Sequence, residues 1–218
     1  MVAVKICGLS TPQTVAHAVA HGARWVGFVT YPPSPRTVSP HHLAGLARQA
    51  PEGSRVAVLV DADDALIDAV APHVDCLQLH GKESPSRAAE LRARTGRAVW
   101  KALPVAEAVD VERASLYVPH VDALLFDARP RPDARLPGGN GAAFDWALMR
   151  GRSIARPWLL SGGLTGASLA AALAQSGACS VDVSSGVETQ PGVKSAAKVA
   201  AFLREARRLS QKDAPGAR

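Results

Sequence analysis

VDVSSGVE, residues 181–188, is an alternating apolar run that ends abruptly on two serines and a glycine. Val181 and Val183 show the every-second-residue pattern of a strand, with Asp182 between them. The turn that follows is too small for side chains to cover its backbone N–H groups. LLSGGLT, residues 159–165, repeats the pattern upstream: a short apolar run closed by small residues. Glycine lets the backbone approach a ligand closely, and successive N–H groups at a strand-to-helix turn aim partial positive charge at an oxygen anion. Gly162, Gly163, Ser184, Ser185 and Gly186 are therefore candidate phosphate-binding residues. Two ordinary turns are the alternative, and the order of strands along the chain decides between them.

Reading outward from these turns, short β-branched runs alternate with alanine-rich helical patterns. Strands are expected at Val2–Ile6, Trp25–Thr30, Arg55–Val60, Asp75–Leu79, Ala98–Ala102, Ala123–Phe126, Trp158–Ser161 and Ser180–Val183. Helices are expected at Thr11–His21, Pro40–Gln49, Pro85–Thr95, Thr165–Gln175 and Lys194–Leu209, several opened by Ser or Thr beside Pro. Eight strands, each followed by a helical or weakly helical segment, predict an α/β single-domain (β/α)₈ TIM barrel. A doubly wound sheet would want G-x-G-x-x-G after the first strand, and KICGLSTPQ has a single glycine. In the barrel the two small turns follow strands seven and eight, where such folds hold phosphate. The expected domain is residues 1–209, with a flexible C-terminal tail over 210–218.

Composition narrows the class. The chain has 218 residues, 47% hydrophobic and 20% charged, and no apolar run near the ~20 residues that cross a bilayer. With no cleavable leader pattern, a cytoplasmic location and no membrane partner are expected. The net charge is +6, but seven bases from Lys194 onward face only Glu205 and Asp213, so the preceding 193 residues carry +1. That concentration suits the end of a helix, and no nucleic-acid partner is expected. Cys7, Cys76 and Cys179 lack disulfide or zinc spacing, and Cys76 and Cys179 read as inert core thiols.

Strand ends of a barrel converge on one face, which turns the sequence into a map of a site. Cys7 closes the first strand beside Lys5 and reads either as a core thiol or as a nucleophile or base. Asp127 closes ALLFD and is either a cap or a general acid. Asp182 points into the barrel, either to bind a substrate hydroxyl or to order the rim. Arg36 in YPPSPR is held by prolines for a carboxylate or else is a solvated charge. His80 in QLHG is a rim group or a histidine satisfied by nearby backbone. The other histidines suggest no metal geometry.

KICG, PPSPR, QLHG, LLFDARP, PGGNGAAFDW, LLSGGLT and VDVSSGVETQPGVK, in this order, resemble the phosphoribosylanthranilate isomerase family of tryptophan biosynthesis over Lys5 to about Lys198. The resemblance implies an Amadori rearrangement of N-(5-phosphoribosyl)anthranilate without metal or organic cofactor. It implies Cys7 as general base, Asp127 as general acid, Arg36 on the anthranilate carboxylate, and Pro137–Gly141 bordering the site. Two positions depart from the family pattern. Thr30 stands where an aromatic is frequent, and Ser195 where Asp is usual. Two alternatives stand beside this reading. A metal-dependent sugar-phosphate epimerase would want His and Asp ligands on several strand ends, and a non-catalytic phosphate-binding barrel has no need of both Cys7 and Asp127. A monomer is favoured, with a dimer as the alternative.

Overall fold

The computed structural model describes residues 1–131, 134 and 136–212, except the side chain of Lys212. Eight parallel strands close into a barrel: β1 (Ala3–Cys7), β2 (Trp25–Val29), β3 (Arg55–Leu59), β4 (Cys76–Leu79), β5 (Ala98–Val105), β6 (Ala123–Ala128), β7 (Trp158–Leu160) and β8 (Ser180–Val183). Closure comes from β1 against β8, with Lys5 in register with Asp182. Around the barrel lie α1 (Pro12–Ala20), α2 (Pro40–Ala47), α3 (Asp64–Val70), α4 (Pro85–Thr95), the short α5 (Ala108–Glu112) and α6 (Ala114–Tyr117), α7 (Leu169–Ser176) and α8 (Ala196–Lys212). Thr11, Ser39, Asp63 and Ser84 cap α1 to α4 by accepting a backbone N–H three residues on, and Pro follows three of these caps.

Strand side chains alternate between two environments. Outward residues such as Ile6, Phe28, Leu77 and Phe126 form the large core against the helices. Inward residues from the lower strands, among them Val56, Cys76, Trp100, Leu125 and Leu159, plug the barrel interior. Continuing up the same inward face, polar side chains replace apolar ones: Lys5 then Cys7, Gln78 then His80, and Asp127, Ser161 and Asp182. The interior is thus dry below and reactive above.

Among the described residues a loop and one 3₁₀ turn, Trp146–Met149, link β6 to β7; this is the weakly helical form of the expected segment, in keeping with the glycine- and proline-rich stretch after Asp127. Three expectations need correction. The last helix starts at Ala196, and Lys194 belongs to a hairpin of β9 (Glu188–Gln190) and β10 (Val193–Lys194). The helix also runs past Leu209 to Lys212, where Ser210 accepts the Val2 N–H at 2.6 Å, so the expected tail does not begin at 210. Its remaining part, residues 213–218, lies outside the described residues. Cys179 is exposed just before β8, whereas Cys76 is buried as expected. Glycine at 177 and a short loop leave residue 179 outside the strand pattern that would have turned it inward.

Candidate active site

The C-terminal ends of the strands surround one cavity, lined by Cys7, Arg36, His80, Asp127, Ser161, Gly162, Gly163, Asp182, Ser184 and Ser185 and roofed by residues 136–142 of the β6–β7 loop. Of the ten residues singled out from sequence, only Gly186 stays off the wall. A Cβ there would overlap the Leu164 carbonyl oxygen, so Gly186 lets the β7 and β8 loops touch. Gly163 adopts φ +63°, and a Cβ would lie 2.9 Å from the Ala142 backbone, so the roof rests directly on this loop.

Cys7 is buried on β1. Burial pushes its thiol up from the usual range; the neighbouring Lys5 ammonium pulls it down, Asp182 pushes it up, and Lys194 adds a smaller downward pull. Lys5 is fully buried and donates to Asp182 Oδ1 at 2.9 Å. Burial alone would lower this lysine, but the Asp182 carboxylate and, less strongly, Cys7 together outweigh it and raise it overall. Asp182 Oδ2 also accepts from Ser161 Oγ at 3.4 Å. An anion in the barrel is therefore matched by a cation on the adjacent strand, as a buried charge requires.

Asp127 is fixed from two sides. Its Oδ1 accepts the Ala128 N–H at 2.9 Å, and its Oδ2 lies 3.3 Å from His80 Nε2. His80 Nδ1 meets Gln78 Nε2 at 3.1 Å. His80 is thus the rim group of the sequence reading rather than a histidine satisfied by backbone, since it lines the cavity and its ring nitrogens are held by side chains.

Arg36 is 5% exposed, which removes the solvated-charge reading. Its Nε and Nη2 grip both oxygens of Glu188 at 2.8 Å each, and Nη2 also donates to the Gly139 carbonyl at 3.3 Å. Lys194 Nζ joins at 2.6 Å to Glu188 Oε1 and donates to Ser184 O and Oγ, while Ser184 Oγ donates to the Cys7 carbonyl. Burial would raise the Glu188 carboxyl, but Arg36 and Lys194 outweigh it and hold it below the usual range. The side edge of the guanidinium is thus occupied by Glu188. Glu188 and Lys194 were not singled out as site residues. The Pro191-Gly192 turn between two short polar runs was the available signal.

Residues 4–205 match the family model described as N-(5'phosphoribosyl)anthranilate (PRA) isomerase. The chain belongs to the phosphoribosylanthranilate isomerase family. An N-(5'-phosphoribosyl)anthranilate isomerase of Rhodospirillum centenum is 53% identical over 206 residues, covering 93% of this chain and 96% of that protein. The crystal structure of phosphoribosyl anthranilate isomerase from Thermotoga maritima is 34% identical with a TM-score of 0.84, over 95% of this chain and 99% of that one. A phosphoribosyl anthranilate isomerase solved in complex with reduced 1-(o-carboxyphenylamino)-1-deoxyribulose 5-phosphate is 33% identical with a TM-score of 0.81, over 95% and 99% of the two chains.

The two departures from the phosphoribosylanthranilate isomerase pattern have local explanations. Thr30 is buried with its hydroxyl donating to the Val58 carbonyl at 3.3 Å, and Val29 and Tyr31 line the cavity on either side of it. Ser195 accepts the Lys198 N–H at 3.3 Å, so a hydroxyl caps α8 in place of a charge. Among the described residues no cluster of His, Cys, Asp and Glu has metal-site geometry, and no helix is long and apolar enough to cross a membrane.

Proposed function

We propose that Cys7 and Asp127 carry the two proton transfers of this chain's reaction, the isomerisation of N-(5'-phosphoribosyl)anthranilate to 1-(2-carboxyphenylamino)-1-deoxyribulose 5-phosphate in tryptophan biosynthesis. The observation that carries the assignment is their placement: a thiol on β1 and a carboxyl on β6 face one cavity from different walls. Asp127 delivers its proton to the ring oxygen of the furanose. The C1–O bond breaks, its electron pair stays on that oxygen, and the nitrogen lone pair forms a C1=N iminium. Cys7, as thiolate, removes the proton at C2; the released pair makes the C1=C2 double bond of an enolamine, and the C=N pair returns to nitrogen. The enol O2–H then gives its proton to the Asp127 carboxylate as C1 takes up the proton held by the Cys7 thiol, leaving the ketone and returning both groups to their starting states. Atoms and charge balance without a further reactant.

Phosphate is held at the β7 and β8 loops by Gly162, Gly163, Ser184 and Ser185, with Gly186 keeping the loops in contact. Arg36 Nη1 takes the anthranilate carboxylate, and Asp182 takes a sugar hydroxyl, since both face the same cavity. The exposed free thiol of Cys179 suits a reducing, cytoplasmic compartment. The large exposed apolar side chains, Met1, Val109, Leu116 and Val193, are distributed over three parts of the chain, which suits a monomer. Loss of the substrate's anthranilate fluorescence on adding the protein tests the reaction, with Cys7→Ser and Asp127→Asn as controls. Folded Cys7→Ser and Asp127→Asn proteins of parental turnover would sink the assignment of these two residues.

A further inference from the structure

Asp127 is one member of a chain of three side chains rising along the inside of the barrel. Gln78 stands on the inward face of β4 and His80 two residues on, just past its C-terminal end, and Asp127 is reached from His80 across the barrel rim. Gln78 is fully buried and its Oε1 has no hydrogen-bond partner among the described residues. A buried carbonyl oxygen left without a donor is costly, so this amide is held in place by what its nitrogen does. That nitrogen meets His80 Nδ1 at 3.1 Å. Above the pair sits Gly138, where a Cβ would stand 2.7 Å from His80 Nε2 and 2.8 Å from Asp127 Oδ2; the roof covers this contact closely only because residue 138 has no side chain.

We infer that Gln78 and His80 are positioning residues for the acid, Gln78 locking His80 in its Nε2–H tautomer and His80 donating that N–H to Asp127 Oδ2. This rests on the general-acid role of Asp127 proposed above. An amide N–H on Nδ1 leaves that nitrogen as the acceptor, which puts the ring proton on Nε2. The Nε2–H then occupies one lone pair of Oδ2, and the Ala128 N–H occupies Oδ1. The acidic proton is left on Oδ2, directed into the cavity. When it passes to the substrate the same N–H faces a carboxylate, and a hydrogen bond to an ionised oxygen is stronger than one to a neutral acid. The contact therefore strengthens as the proton leaves, which accelerates the step and does little for binding. His80 transfers no proton. The surrounding charges, Arg36 and Asp182, line the same cavity from other elements and are held by partners of their own, Glu188 and the buried Lys5; the Cys7 thiol faces the cavity from β1.

The test is kcat and KM for His80→Leu and His80→Gln, each alone and together with Asp127→Asn. His80→Leu should lower kcat about 10- to 100-fold, the worth of one hydrogen bond to a charged oxygen, with KM within about threefold. His80→Gln keeps a neutral N–H donor at similar reach and should recover most of that loss. In the Asp127→Asn background His80→Leu should cost under about threefold more, because no carboxylate forms there. Equal losses for Leu and Gln would make His80 a proton carrier and overturn the inference. A loss confined to KM, or one that persists undiminished beside Asp127→Asn, would make it a substrate ligand and overturn it too. Parental turnover in Asp127→Asn would remove the acid assignment itself, and the inference with it. Should His80→Leu fail to fold, Gln78→Glu serves: a carboxylate beside Nδ1 draws the proton there, leaving Nε2 bare or the ring charged, and kcat must fall. An unchanged kcat in folded Gln78→Glu would overturn the tautomer lock.

Discussion

The base proposed above starts as a buried thiol, which sets the pH behaviour of the site. To act as that base Cys7 must be a thiolate, while burial, opposed by Lys5 and Lys194 and assisted by Asp182, leaves the thiol above its usual range. A raised pKa means that the thiolate fraction of the free protein grows only as pH climbs to and past the ordinary thiol value, about 8.5. kcat/KM should therefore rise with pH across neutrality, and a pH-rate profile flat from neutral to alkaline would exclude Cys7 as a titrating base. Cys7→Ser keeps the size of the group but not its acidity, and should reduce kcat by about 10²- to 10⁴-fold, measured on protein whose thermal unfolding matches the parent. The lysine beside it depends on a missing side chain. A Cβ at Gly27 would stand 2.9 Å from Lys5 Nζ and 3.0 Å from Cys7 Sγ. Gly27→Ala should accordingly impair turnover through a residue that does not line the cavity.

The hairpin of β9 and β10 is the element that connects the β8 loop to Arg36. Glu188 opens it, Lys194 closes it, and between them they hold the guanidinium and the Ser184 hydroxyl. Glu188→Gln keeps the shape while releasing both cations from their anion. Arg36 is then free to turn, so KM should rise and kcat/KM fall about 10-fold, on the scale of a charged hydrogen bond, with kcat less affected; steady-state kinetics with an unchanged KM would show that Glu188 does not orient the substrate site. This element also marks where sequence reading stopped. Cys7, Asp127 and Asp182 were legible because each ends or interrupts an apolar alternation, and strand ends in a barrel share a face. The same alternation counted back two residues reaches Lys5 from Cys7, which the sequence reading paired, and Gln78 from His80, which was present in the pattern without being drawn from it. Glu188 and Lys194 follow no such period. Their hairpin strands are three and two residues long, too short for alternation to register, and the contact with Arg36 spans 152 positions.

Across the whole barrel the strand pairings are unequal. β5 and β6 are in register over six residue pairs, whereas β7 and β8 share a single registered pair, Leu160 with Val181. The loops proposed to bind phosphate leave the barrel from these two sparsely paired strands. Between them the bridging contacts are the hydrogen bond from Ser161 Oγ to Asp182 Oδ2 and the fit of Gly186 against Leu164. An anion gripped by both loops at once binds the folded barrel and not the unfolded chain, so it must stabilise the fold, by about 2.7 kcal/mol at a hundred times its dissociation constant. The stabilisation should also be local, because a bridge across the least-paired seam suppresses openings that already occur there rather than in β5 and β6. Inorganic phosphate should raise the unfolding temperature and slow amide exchange most strongly in residues 158–165 and 180–187, with little change at 98–105. Gly163→Val, which puts a branched side chain where the roof backbone rests, should abolish that protection in a still-folded protein; Ser184→Ala keeps its backbone N–H and should retain most of it. Protection spread evenly round the barrel, or equal in the two variants, would place the anion elsewhere.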